Sequence, residues 1–298
     1  MFKKILMLLL FAYIGFMTAG CNDSVSVIER NEENSKIIIT ASIHPIKEFA
    51  EKIAGERAQV ICMVPDNVEP HDYEPKTRDF KQLMKSDIFI YNGLGMEPWV
   101  DKVNNMIEEK DILIVDSSKD INVRMEDSIV DPHSWLSLKQ AEKQAENIKD
   151  ALVLLDQDNK MYYEENYNYF KLELDSLYDE FKSKFNTLSN KDFITGHSAF
   201  GYLCRDFGLH QKSVENLFGD GEPTPRQLED LVIFCRENDV KVIFSESSGS
   251  QRVSETLASE VKASVVPILT LESNEDDKSY LEAVRYDLEE IYKSLKIE

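Results

Sequence analysis

The chain has 298 residues, with 34 Lys+Arg against 55 Asp+Glu and a formal net charge of −21. That balance excludes a nucleic-acid binder, because a basic patch supplies most of the affinity for phosphate backbones. The acidity keeps a surface protein soluble and weakly favours nearby cations, but it does not locate a site for one.

The N-terminus sets the compartment. Lys3 and Lys4 precede an apolar run over residues 5–16, and Thr18-Ala19-Gly20-Cys21 follows. A basic start, a short apolar core and small residues before a cleavage point make a secretory signal over residues 1–20. The apolar run is shorter than the roughly 20 residues a membrane span needs. The cysteine directly after Ala-Gly resembles a bacterial lipobox, which implies lipidation of Cys21 and a polar tether over residues 21–35. Removing residues 1–20 takes away two lysines and no acid, which leaves about 278 residues, enough for two domains.

From residue 36 onward, strands and helices alternate. Strands are predicted over residues 36–42, 58–64, 88–91 and 112–115. Helices are predicted over 45–54, 77–85, 98–107 and 136–155. This alternation implies βαβ units with a parallel sheet. Residues 160–188 contain no Gly or Pro, and Tyr163, Tyr167, Phe170, Leu174, Leu177, Phe181, Phe185 and Leu188 recur at spacings of three and four. They form one helical stripe. A rod of about 28 residues is about 42 Å long, longer than an ordinary crossover and able to bridge two lobes. The alternation then restarts. Strands are predicted over 193–195, 211–214, 240–245 and 264–269, and helices over 199–207, 225–238, 250–261 and 278–295. The fold class read from this pattern is α/β. Two (β/α) lobes, each with a mainly parallel sheet, are joined by one long helix and enclose a cleft. The divisions are a first lobe over 36–157, the linking helix over 158–189 and a second lobe over 190–298.

Ligands of open parallel sheets sit at the carboxyl ends of the strands. Of the five histidines, three follow such ends. His71 comes after the second strand, His133 after the fourth strand and its loop, and His197 after the first strand of the second lobe. Neutral imidazole is the commonest transition-metal ligand, and three of them suit zinc better than calcium or magnesium. His44 also follows a strand and could sit at the rim of the same cleft. His210 starts a strand, so it belongs at the far end as a structural or exposed residue. The chain has no H-E-x-x-H and no Gly-x-Ser-x-Gly, which argues against a hydrolase.

The segments Pro70-His71-Asp72-Tyr73-Glu74-Pro75, Asp131-Pro132-His133-Ser134-Trp135, Thr195-Gly196-His197-Ser198-Ala199-Phe200 and Gly221-Glu222-Pro223-Thr224-Pro225 resemble the zinc/manganese solute-binding lipoproteins of bacterial ABC importers, the cluster A-I group. The resemblance covers nearly all of residues 36–298. It implies two lobes on a rigid backbone helix. It also implies a monomer that holds metal between the lobes and delivers it to a membrane permease. His71, His133 and His197 fall on three ligands of the group. Manganese-favouring members tend to carry a carboxylate where His197 stands, so zinc is implied ahead of manganese. The fourth ligand is usually a carboxylate or a water from the loop after the last strand. Here Glu272 is the first choice, while Glu246 is read as a residue that orients an imidazole or as an alternative ligand. Residues 116–130 lack the His-rich loop some members carry. An alternative function, also suggested by relatives, is a surface adhesin that binds host matrix and keeps zinc as a structural ion.

Three imidazoles plus one carboxylate would close a tetrahedral site, leaving no open position for catalysis. Binding needs neutral imidazoles, so affinity is expected to weaken as pH falls through about 6.5. Besides Cys21 there are Cys62, Cys204 and Cys235, none in C-x-x-C spacing. They read as small buried hydrophobes, with one disulfide among them left open.

Overall fold

The computed structural model describes residues 36–66, 68–219, 223–246, 251–274 and 277–296. The signal sequence, lipidated Cys21 and tether expected over residues 1–35 lie outside the described residues. No helix among those described is long and apolar enough to cross a membrane.

In the first lobe the elements are β1 (Ile37–Ala41), α1 (His44–Ala54), β2 (Ala58–Cys62), α2 (Thr77–Leu83), β3 (Ile88–Tyr91), α3 (Val100–Ile107) and β4 (Leu113–Asp116). A short hairpin follows, of β5 (Met125–Glu126) and β6 (Ile129–Val130), and then α4 (Leu138–Leu155). The sheet order is β2-β1-β3-β4, with every pair parallel. The linking helix is α5 (Lys160–Asn186). The second lobe comprises β7 (Asp192–Thr195), α6 (Gly201–Phe207), β8 (His210–Ser213), α7 (Pro225–Glu237), β9 (Val242–Ser245), α8 (Gln251–Val261), β10 (Ser264–Pro267) and α9 (Tyr280–Leu295). Its sheet is parallel in the order β10-β9-β7-β8. Both sheets are fed by crossover helices, which is why their central strands read as continuous apolar runs.

The predicted elements are present, and their ends move for identifiable reasons. The helix expected from residue 136 starts at Leu138, because Ser134–Leu136 forms a 3₁₀ turn and the Ser137 side chain caps α4 by accepting from the Gln140 N–H. Thr224 caps α7 in the same way through the Gln227 N–H. The strand expected from residue 240 starts at Val242, after a turn in which Asp239 has φ 49°. The β5–β6 hairpin was not anticipated: its strands have two residues each, too few to show a period.

The stripe on α5 is buried at Tyr163, Phe170, Leu174, Leu177, Phe181 and Phe185. At about 1.5–3 kcal/mol per buried side chain, these six residues supply much of the grip between the lobes. The helix packs on α1 and α4 of the first lobe and on α6 and α9 of the second. A second tie was not foreseen. Helix α9 returns to the first lobe, where the Tyr280 N–H donates to Glu48 at 2.8 Å and the Tyr280 ring meets Phe49 edge-on at 4.7 Å. One apolar core therefore runs through both lobes. Cys62, Cys204 and Cys235 are free thiols. Cys204 and Cys235 are buried and Cys62 is partly so.

Candidate metal centre

His71, His133 and His197 each lie beyond the carboxyl end of a strand, and Glu272 lies beyond β10 on the facing sheet. The fold brings all four together. His71 Nε2 is 3.3 Å from His133 Nε2, and His133 Nε2 is 3.4 Å from Glu272 Oε1. His197 Nε2 is 3.8 Å from the same oxygen. Ligand atoms of His71, His133 and Glu272 lie within 4.8 Å of one another, and His197 falls outside that mutual group while still approaching Glu272. Zinc–ligand bonds of about 2.0–2.1 Å in a tetrahedron place neighbouring ligand atoms about 3.3–3.4 Å apart. Two of the three separations match that edge length, and the third exceeds it by a few tenths of an ångström.

His133 and His197 turn Nε2 inward because a carboxylate holds the other side of each ring. His133 Nδ1 donates to Asp131 at 2.9 Å, and the same carboxylate accepts from the His133 backbone N–H at 3.0 Å. His197 Nδ1 lies 3.5 Å from Glu246, which also accepts from the His197 backbone N–H. Glu246 thus meets both the ring and the backbone of His197. Gly196 makes this approach possible, since a Cβ there would sit 2.1 Å from a Glu246 oxygen. The ring of Phe218, from the second lobe, meets His71 edge-on at 5.2 Å.

The chain that presents Glu272 is strained. Leu271 has φ 63°, a left-handed conformation that costs a non-glycine residue about 1–3 kcal/mol. The tie that holds this loop is the indole N–H of Trp135, which donates to the Thr270 carbonyl at 2.8 Å. Trp135 also touches His133, at 5.4 Å between rings, and Tyr280 Oη donates to its carbonyl.

Electrostatically the cluster is a charge pair waiting for a cation. Burial opposes a charge on His197, but Glu246 and Glu272 outweigh it and carry the ring up to about 9. Burial likewise opposes charge on His133, and its hydrogen bonds to Asp131 and Glu272 raise it nonetheless. His71 has no such partner, and burial takes it down to about 4. Burial alone would raise Glu272, but the hydrogen bond from His133 and the neighbouring imidazoles hold it well below the usual carboxylate range. Glu69, two residues before His71, is pushed up to about 8 by burial and then by the Glu272 carboxylate. Beyond the long 3.4 Å approach of His133 Nε2 to Glu272, both Glu272 oxygens and His197 Nε2 are buried without a hydrogen bond. A buried, unsatisfied carboxylate is expensive, and a bound cation removes that cost.

His44 is not part of this cluster. It sits in the first turn of α1 and bonds to Glu48 at 2.9 Å, so the structure gives it a partner away from the other histidines. His210 is exposed beside Asp192. Sequence reasoning missed Asp131, whose only signal is an acid two residues before a ligand candidate. It also missed Leu271, whose strain leaves no mark in composition.

The family described as zinc-uptake complex component A, periplasmic, matches residues 39–294. The high-affinity zinc uptake system protein ZnuA of Bacillus subtilis is 32% identical over 318 aligned positions, covering 100% of this chain and 99% of that protein. The laminin-binding protein of Streptococcus agalactiae, described as bifunctional with adhesin and metal-transporting activity, superposes with a TM-score of 0.83 at 29% identity, over 88% of this chain and 100% of that one. The Zn(II)-bound ZnuA-like domain of Streptococcus pneumoniae AdcA superposes with a TM-score of 0.79 at 28% identity, over 88% of this chain and 100% of that one. The chain therefore belongs to the zinc-uptake component A family of extracytoplasmic solute-binding proteins, which bind metal and are not enzymes.

Proposed function

We propose that the chain captures zinc outside the cytoplasm with His71, His133, His197 and Glu272 and hands it to an ABC importer, held at the membrane surface by a lipid on Cys21. The observation that carries this reading is the convergence of three buried side chains, His133, His197 and Glu272, with the half-buried His71, from two facing sheets at separations close to a zinc tetrahedron's edge. Zinc is the preferred cargo, because imidazole-rich sites bind it more tightly than manganese. The zinc-bound relatives support the same choice.

Calorimetric titration of the chelator-stripped protein with zinc and manganese tests the site. His197→Ala should lose more than the roughly 10–100-fold that removing a merely supporting residue costs. A His197→Ala protein that binds zinc as tightly as wild type refutes the assignment. Delivery predicts that a strain lacking the chain grows poorly only when zinc is scarce. Attachment predicts that Cys21→Ala leaves the protein unlipidated and released from the membrane. A second reading, an adhesin with structural zinc, draws on the likeness to the laminin-binding protein. Binding of a matrix protein by the chelator-stripped form, with normal growth without zinc, favours it.

A further inference from the structure

The segment over residues 122–131 does more than connect β4 to α4. Arg124 donates from one guanidinium nitrogen to Asp131 at 2.8 Å and from the other to Glu126 at 2.9 Å. Asp131 is fully buried and holds His133 through its second oxygen. Glu126 accepts from Ser198, the residue after His197, at 2.7 Å. An unbroken polar line thus runs from Ser198 through Glu126, Arg124 and Asp131 to His133, from one lobe's ligand loop to the other's.

The rest of the segment is fastened to the second lobe as well. Tyr202 Oη donates to the Asp131 carbonyl and accepts from the Arg124 N–H, both at 3.0 Å. Arg205 donates to the Asn122 carbonyl at 2.7 Å. The guanidinium lies directly over Gly201, where an added Cβ would come within 2.2 Å of its central carbon. The absence of a side chain at Gly201 is therefore what gives Arg124 its place. A planar, two-pronged donor suits this junction, and lysine could not hold both carboxylates in the same geometry.

We infer that Arg124 is a positioning residue that sets the rate of metal release. It fixes His133 through Asp131 and clasps the His133 loop to the His197 loop, so that the two lobes' ligands hold or yield together. This inference rests on the reading of the cluster as a metal-capture site.

The test uses the full-length protein loaded with zinc, or with cobalt as a spectroscopic probe, and follows release to a chelator by stopped flow. Arg124→Met should speed zinc release about 10–100-fold, the usual cost of losing support behind a ligating histidine, and should shift the cobalt absorption bands. Gly201→Ala displaces the guanidinium while keeping every ligand and charge, so it should speed release in the same direction without unfolding the protein. Ser198→Ala cuts only the arm between the lobes and should speed release with the cobalt bands unchanged. In an Asp131→Asn background, Arg124→Met should add little, because the two act as one unit. Wild-type release rates in both Arg124→Met and Gly201→Ala, or fully additive effects with Asp131→Asn, overturn the clasp. If His133→Ala abolishes binding while Arg124→Met does not alter release, only the clasp fails; if wild type binds no zinc, the capture reading fails.

Discussion

On the proposed assignment, zinc held by His197 displaces that ring's proton, and the surroundings of the ring set where this matters. With Glu246 and Glu272 beside it, the ring in the metal-free protein titrates at about 9 instead of 6.5. That difference corresponds to about 3 kcal/mol in favour of the protonated ring, at about 1.4 kcal/mol per tenfold. The sign follows directly. Below pH 9 the ring is charged, zinc competes with its proton, and apparent affinity rises with pH until His197 is neutral. Competition at His197 alone makes affinity rise about eightyfold between pH 6.5 and 8.5. His133 is also raised, and Glu69 sheds a proton when a cation arrives, so both add to the same direction. His71 titrates at about 4 and contributes nothing in this range. The weakening expected from ordinary histidines near pH 6.5 is therefore moved upward. Calorimetry at pH 7.5 in buffers of different ionisation enthalpy should count at least about one proton released per zinc. In Glu246→Gln the count should drop, because the partner that keeps His197 charged is gone. An affinity that is flat between pH 6.5 and 8.5, or a proton count unchanged by Glu246→Gln, refutes this reasoning.

Three further outcomes follow from the fold. Phe170 is buried on α5 against Phe49 and Tyr280; Phe170→Ala should cost about 3–5 kcal/mol, measured by denaturant unfolding of the metal-free protein. Gly93 has φ 87°, and a Cβ there would come within 2.4 Å of an Asp116 oxygen; Gly93→Ala should lower stability by about 1–3 kcal/mol, and an unchanged unfolding midpoint would contradict the strain. Helix α5, the return of α9 to Glu48 and the Trp135–Thr270 bond all join the lobes; metal-free and zinc-bound crystals should therefore differ by loop shifts and a small lobe movement, and a large hinge rotation would contradict this.

The parts legible in the sequence were those with a period or a fixed topological place. The α5 stripe could be read because its residues repeat at helical spacing over 27 residues. The clustering of His71, His133 and His197 could be read because parallel sheets put every strand's carboxyl end on one side. His44 shows the limit of that rule. It stands at such an end, yet Glu48, one helical turn on, takes it up. Glu272 was reached through resemblance, and the reason is local. Side-chain direction can be counted outward from a strand only while the backbone stays extended. Leu271 breaks that count with its left-handed φ, immediately before the carboxylate that matters. The clasp was invisible for a different reason. Its members are separated by up to 83 residues, and its hairpin is too short to show alternation. A cluster of three histidines is thus announced by topology, whereas the placement of Glu272 and of Arg124 depends on one strained residue and one missing side chain. At those two positions, Leu271 and Gly201, the proposed site rests on backbone conformation rather than on ligand type.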